Sequence, residues 1–357
     1  MSLLREVASN TSSPVVVRLL AGDEDGQRWD DFVTSCPDAT FFHREGWRRV
    51  ITAGFGHKAY YLLAEVDGEI QGVLPLVRQR SLMFGDALVS TPFCVYGGVA
   101  ASSEDVRLAL ELEAASMADS MGVAHLECRN RRASTIGWPA KDLYCTFSKA
   151  ISADQQDNLA AIPRKQRAEV RKGLKNQLVG EMDQDLAGVC YDIYSESVRN
   201  LGTPVFSRNY FRLLKSVFGK DCDGLVVRHK GRAVAAVVNF YFRGEVLPYY
   251  GGGTMDARRL GATHFMYWDL MGHASRERGV TRFDFGRSKR GSGSFAFKQY
   301  YGFTPEPLFY QYHLVGQNKI PDLTPNNPKY RIFINLWKRL PLPAAKLIGP
   351  WIAKNLG

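Results

Sequence analysis

The residues best equipped for chemistry lie between Arg282 and Pro307, in the run RFDFGRSKRGSGSFAFKQYYGFTPEP. An apolar strand ends there at Asp284 and Phe285, and a glycine-rich basic loop with Arg287, Ser288 and Lys289 follows from Gly286 to Gly293. Phe295, Phe297, Lys298, Tyr300 and Tyr301 then fall on a short aromatic helix ended by Gly302. Tyr249 and Tyr250, followed by Gly251-Gly252-Gly253, form a second polar aromatic group at a strand end. Other chemistries are missing. The seven histidines hold no H-E-x-x-H and no pair at metal spacing, and the six cysteines form no C-x-x-C, so no metal site is expected. Neither G-x-S-x-G nor a Walker loop occurs, since Gly286-Arg287-Ser288-Lys289 lacks the second glycine; this removes covalent serine catalysis and NTP hydrolysis.

Charge adds a second kind of site. The net charge of +10 is concentrated: Arg164 to Lys175 carries net +5, Leu323 to Gly357 carries net +6, and the remainder is close to neutral. In PRKQRAEVRKGLKNQL, Pro163 opens a predicted helix on which Arg164, Arg167, Arg171 and Lys175 recur along one side, with Lys165 and Lys172 beside them. Val170, Leu174 and Leu178 are expected to line another side. Such a stripe is either a solvated face or a phosphate-binding surface for an RNA backbone or a phosphorylated carrier, since guanidinium groups suit phosphate. With few aromatics nearby, base stacking is not predicted. In the tail, Ile332, Phe333, Leu336, Trp337 and Leu340 alternate with Lys338, Arg339, Lys346 and Lys354. It either packs on the body of the protein or lies on an anionic membrane surface.

These groups need elements to position them, and the chain supplies them in a repeated order. Residues 15–20 and 59–66 read as strands, two helical patterns lie between them from Asp23 to Gly56, and Asp67-Gly68 turns into a strand at 70–77. A helix from Ser103 to Met121, capped by Ser102 or Ser103 and ended by Gly122, leads to a strand at 123–128. The second half repeats this with helices at 185–200 and 209–218, strands at 224–228, 233–242 and 246–250, a helix at 264–278 and a strand at 281–285. Two mixed α/β domains follow, at 15–150 and 151–315, with a basic amphipathic tail at 316–357. No stretch is apolar and long enough to span a membrane and the first residues carry Arg5, Glu6 and Arg18, so a cytoplasmic protein with reduced core thiols is expected.

Phe297-Lys298-Gln299-Tyr300-Tyr301-Gly302 resembles the F-K-x-x-[FY]-G signature of the FemAB (FemABX) family, which follows a strand and a glycine-containing loop. The resemblance extends to the branch that accompanies the PEP-CTERM/exosortase system and exopolysaccharide loci. It is carried by PRKQRAEVRKGLK (163–175), SVRNLGTPVF (197–206), EVLPYYGGG (245–253), FMYWDLM (265–271) and NPKYRIFINLWKRLPLP (327–343). It implies two tandem GNAT-like acyltransferase domains, with the chemistry in the second, and transfer of an acyl or aminoacyl group from an activated donor to an amine. Such transfer needs an unprotonated amine about 3 Å from a carbonyl, donors at the developing oxyanion and a proton acceptor.

Within that resemblance, Lys298 would stabilise an anionic donor or the oxyanion with its amine in a cleft, and Asp284 would accept a proton or pair with Arg282 or Arg287. Tyr250 and Tyr249 would line the acyl channel. Arg199, Thr203, Arg287 and Ser288 would read the acceptor, with capping and turn roles for Arg199 and Thr203 as the alternative. Arg164, Lys165, Arg167, Arg171 and Lys172 would hold the donor phosphates. No permanently bound cofactor is expected. The donor is aminoacyl-tRNA, acyl carrier protein or acyl-CoA. The acceptor would be a saccharide or lipid-linked precursor of the cell envelope or exopolysaccharide; on its own basic amphipathic character, the segment 329–357 would touch the inner face of the cytoplasmic membrane. Acetyl-CoA enzymes of this fold carry [QR]-x-x-G-x-[GA] at a helix N-terminus, and Arg258-Arg259-Leu260-Gly261-Ala262-Thr263 departs at its last position, which weighs against CoA. The rivals are an acetyl-CoA-dependent N-acetyltransferase and a catalytically silent GNAT-like scaffold that binds RNA, carrier protein or membrane.

Overall fold

Three two-residue turns set the hairpins. Asp67-Gly68, Lys230-Gly231 and Arg243-Gly244 all hold positive φ at both residues (51° and 80°, 50° and 80°, 46° and 74°), the turn whose twist matches that of the flanking strands. The computed structural model describes residues 13–81, 85–134, 136–321 and 328–356. It is a mixed α/β structure with two sheets and two compact units, Met1–Tyr144 with Pro307–Leu323 and Asn355–Gly357, and Cys145–Glu306 with Thr324–Lys354.

In the first unit the strands run Val16–Leu19, Lys58–Val66, Glu69–Ser81, Gly85–Ser90, His125–Asn130, Phe309–Leu314 and Ala140–Lys141 across the sheet. The helix Glu104–Met121 buries Val106, Leu110, Ala114 and Ala118 against it, a spacing of four that keeps them on one face. Ser103 caps its start, accepting from the Val106 N–H at 3.3 Å, and Gly122 ends it at φ 60°. In the second unit the order is Ser288–Lys289, Tyr144–Ala150, Arg282–Asp284, Glu245–Gly253, Arg232–Phe242, Cys222–His229 and Val179–Asp183. The helix Ala262–Arg278 covers this sheet through Phe265, Met266, Leu270 and Met271.

Each sheet borrows a strand from a distant part of the sequence. Phe309–Leu314 pairs antiparallel with His125–Asn130 in the first sheet, and Tyr144–Ala150 pairs antiparallel with Arg282–Asp284 in the second. The units therefore part at Tyr144 and Glu306 rather than near 150 and 315. Pairing partners so far apart in sequence leave no local signal. The helix expected at 185–200 is broken as well: Asp185 accepts from the Ala187 N–H at 3.1 Å, Gly188 leaves helical geometry at ψ −116°, and the regular helix is Tyr191–Leu201. All six cysteines are buried and outside disulfides.

The described part of the tail packs on the protein. It does not stand apart from the folded body: the helices Pro328–Trp337 and Leu342–Ala353 belong to the second unit. Trp337 is buried, Ile334 sits against Gly202, and Ala345, Gly349 and Ala353 form an inward stripe that seats Gly349 on the Val205 backbone. Lys346 pairs with Asp192 at 2.6 Å. Trp337→Ala should therefore lower the free energy of unfolding by about 3 kcal/mol, measured by denaturant titration. Deleting residues from 328 onward should lower the melting temperature clearly; an unchanged transition would show that this packing contributes nothing.

Candidate functional site

The second sheet contains one opening made by its own strands. Glu245–Gly253 and Arg282–Asp284 run parallel and, among the described residues, pair only at Glu245–Arg282 and Val246–Phe283. Beyond Phe283 the second strand stops after one more residue and turns at Gly286 (φ 67°), while the first continues to Gly253. Among the described residues, no strand continues the ladder on that side of Leu247–Gly253. On its other edge, Val238 faces Tyr250 and Asn239 faces Pro248, so Tyr249 is the extra residue of a β-bulge. The bulge brings the Tyr249 and Tyr250 rings to 4.7 Å at 88°. Tyr250 is buried and its hydroxyl lies 2.8 Å from that of Tyr210, within a cluster of Tyr194, Phe206 and Phe211.

The far wall is the loop after Asp284. Gly286 is held at both of its peptide groups: Asp284 Oδ1 accepts from its N–H at 2.8 Å, and Lys298 Nζ donates to its carbonyl at 2.9 Å. Lys298 also donates to the Arg287 carbonyl at 3.1 Å. The helix Gly293–Tyr300 delivers this lysine, capped by Ser292, whose Oγ accepts from the Phe295 N–H. The ammonium stands 5.4 Å from the Phe147 ring and 5.3 Å from that of Phe285. Burial pushes its pKa down to about 7, against the Asp284 carboxylate, which raises it. Lys298 is thus a buried clamp on the loop, which corrects the expectation of an amine projecting into a cleft. Thr146 Oγ1 lies 3.5 Å from Asp284 Oδ1, and the buried Ser288 Oγ has no hydrogen-bond partner among the described residues. Arg282 pairs with Glu245 and donates to Ser148, so it is not the partner of Asp284.

Asp284, Arg287, Ser288 and Lys298 are thereby brought together, with Tyr249 and Tyr250 on the strand that parts from them. The remaining candidates lie elsewhere. Arg199 donates to the Lys338 carbonyl at 3.4 Å and so clamps the end of a tail helix, while Thr203 lies exposed in the turn after Gly202, its N–H donating to Val198. Arg167 is turned onto the chain, donating to the carbonyls of Ala160 (2.6 Å) and Ile162 (3.0 Å). Arg164, Lys165 and Arg171 are exposed, and Lys172 pairs with Glu169 at 3.3 Å. Leu174 is exposed as well, while Val170 and Leu178 are buried as expected.

Lys149 was not anticipated. Its Nζ is buried with no hydrogen-bond partner among the described residues, 4.5 Å from the Phe303 ring, and burial lowers its pKa to about 8. The signal was present in the alternation Cys145, Phe147, Lys149, which places the lysine on the face of two core residues.

The first unit has the same parallel arrangement and closes it. Gly85–Ser90 and His125–Asn130 pair from Ala87–His125 to Val89–Glu127, and the chain beyond bridges the gap. Ser90 Oγ accepts from the Arg129 N–H (2.8 Å), Gly98 donates to the Arg129 carbonyl (3.0 Å), and Asn130 Oδ1 accepts from Val99 (3.0 Å). A Cβ at Gly98 would meet Asn130 Oδ1 at 1.9 Å.

Residues 164–299 match the acetyltransferase (GNAT) domain family. The fold is shared with several solved structures. A crystal structure of FemX aligns with TM-score 0.66 and 16% identity over 89% of this chain and 99% of that one. The C-terminal domain of a putative lysylphosphatidylglycerol synthetase from Agrobacterium fabrum aligns with TM-score 0.55 and 16% identity, covering 81% and 92%. A tandem GNAT protein from the clavulanic acid biosynthesis pathway aligns with TM-score 0.54 and 13% identity, covering 86% and 100%. No curated protein sequence matches the chain. The protein therefore has the tandem GNAT-like fold, and its second unit carries a recognisable acetyltransferase-type domain.

The clamp has a pH signature. A lysine lowered from 10.5 to about 7 binds fewer protons folded than unfolded between those values, so wild-type stability should rise with pH across that window. Below about pH 7 the buried charge is at its most costly. The melting temperature of wild type minus that of Lys298→Met should thus increase from pH 6.5 to 9.5; parallel curves would mean that the amine does not titrate in this range.

Proposed function

We propose that the second unit is an acyl- or aminoacyltransferase that forms an amide on an amine of a cell-envelope or exopolysaccharide precursor. The observation that carries this reading is the parting of the two parallel strands after Val246 and Phe283, beside a loop held by Asp284 and Lys298. The likeness in fold to FemX and to the lysylphosphatidylglycerol synthetase domain supports it, and the envelope acceptor rests on the family branch that the sequence resembles.

In the reaction, the lone pair of the acceptor amine attacks the donor carbonyl carbon. The new C–N bond forms as the bond from carbon to the donor's oxygen or sulfur breaks, the ammonium proton passes to a base, and the leaving alkoxide or thiolate takes up a proton. The acyl group would lie where the two strands part. Tyr249 and Tyr250 line the same strand, and Arg287 and Ser288 sit on the loop that Lys298 fixes. Lys298 contributes chiefly by holding that loop, and with its pKa near 7 it also exchanges a proton at neutral pH.

A donor other than CoA fits the local packing better. At Gly261, before the helix whose N-terminus would cradle a pyrophosphate, a Cβ would lie 2.5 Å from the Glu169 carbonyl oxygen, so the basic helix packs directly against this turn, and the departure at Thr263 adds to the case against CoA. The exposed Arg164, Lys165 and Arg171 on that helix offer an alternative phosphate surface, suited to aminoacyl-tRNA or to an acidic acyl carrier protein.

Incubating the protein with acyl-CoA, acyl carrier protein and aminoacyl-tRNA in parallel, each with an amino-sugar acceptor, should give an amide product by mass only with one of the last two. Lys298→Met should then lower turnover by about two orders of magnitude by displacing the loop. Product from acetyl-CoA alone would establish the rival N-acetyltransferase, and binding without turnover the scaffold. Arg164→Gln with Arg171→Gln should weaken donor binding and flatten its salt dependence by roughly one unit of slope per lost contact. Arg167→Gln should instead cost about 1 kcal/mol of stability by uncovering the Ala160 and Ile162 carbonyls.

A further inference from the structure

The C-terminal helix Leu342–Ala353 has two apolar sides of different character. Its inward stripe is small, Ala345, Gly349 and Ala353, and lies against the second unit. Its outward side is large: Leu347 is 74% exposed, Trp351 72% and Ile348 45%, at spacings that place them on one helix face. Leu336, at the end of the preceding helix, is 63% exposed. A helix that needed only to close the fold would carry polar residues there. The one charged side chain within it, Lys346, is already committed to Asp192 and the Tyr191 ring.

The surroundings say what covers this face. From residue 324 to 357 the chain carries six basic residues and no acidic one. Lys338 and Arg339 are exposed where the two helices join, and the Lys354 ammonium lies 5.2 Å over the Trp351 ring. Large apolar side chains with a tryptophan, bordered by lysine and arginine, match a surface whose interior is hydrocarbon and whose boundary is negative. No helix among the described residues is long and apolar enough to cross a membrane.

We propose that the outward face of Leu342–Ala353 docks on an anionic lipid bilayer, with Leu347, Ile348 and Trp351 in the headgroup–acyl boundary and Lys338 and Arg339 at the phosphates. This goes beyond the transfer reaction and does not depend on it. It also gives both sides of the helix a role, because the small stripe holds the protein while the large one holds the membrane.

The test uses the full chain with sedimenting vesicles of phosphatidylcholine alone and of an equimolar phosphatidylcholine–phosphatidylglycerol mixture. Wild type should sediment with the mixed vesicles, less so at high salt, and weakly with the neutral ones. Leu347→Ser with Trp351→Ser should reduce binding about tenfold or more without altering the melting temperature, since neither side chain is in the core. Lys338→Gln and Arg339→Gln should each reduce binding to mixed vesicles by roughly fivefold, leaving neutral vesicles unaffected. Wild type remaining in the supernatant, or a double variant that binds as wild type does, overturns the proposal. A concentration-dependent dimer that the double variant abolishes, with no vesicle binding, assigns the face to a second copy and overturns it too.

Discussion

The geometry of the second unit depends on how briefly two parallel strands stay together. Val246 and Phe283 are the last residues to pair, and everything assigned to the site follows from the separation beyond them. A parallel strand that loses its neighbour exposes backbone groups that must find other partners, which is costly inside a core and useful beside a ligand. The chain keeps the separation open from both sides. The bulge at Tyr249 bends one strand, and Asp284 and Lys298 pin the peptide of Gly286 after the other. Aromatic packing around Phe147, Phe285, Phe297 and Tyr301 then fixes the helix that carries the lysine.

The first unit shows what the same arrangement looks like when it is filled. There the loop after Ser90 returns to bond Arg129 and Asn130, and two glycines, Gly97 and Gly98, permit an approach that no side chain would allow. Buried polar side chains finish the closure: Asn130 donates to Gln311 at 3.0 Å, and Arg129 donates to the Cys94 carbonyl at 2.7 Å. One architecture thus serves once as a closed scaffold and once as an open edge, the difference lying in loop chemistry rather than in fold.

Much of this was legible in the sequence where the signal is local. The Asp67-Gly68 turn, the caps at Ser103 and Gly122, and most strands of both halves follow from turn chemistry and alternation. The cluster of Asp284, Arg287, Ser288 and Lys298 was legible too, because strand, loop and helix are consecutive. What could not be read was non-local. The exchange of Tyr144–Ala150 and Phe309–Leu314 between the sheets depends on partners far along the chain. The inward turn of Arg167 depends on where the helix Gln155–Ala160 ends, and the burial of Lys298 on carbonyls a dozen residues away. The two-sided apolar character of the tail helix emerges only once Ala345, Gly349 and Ala353 have found Val205 and its neighbours.

Under the proposed function, ligand enters where the strands of the second unit part and not at the closed counterpart in the first. Hydrogen–deuterium exchange of the intact protein, with and without a non-hydrolysable aminoacyl-tRNA or acyl-carrier donor analogue, tests this most directly. Slowed exchange is expected in peptides spanning 247–253 and 284–289, where the strands part and the loop is clamped, with none across 87–99. Protection confined to 87–99, with the second unit unchanged, would contradict it.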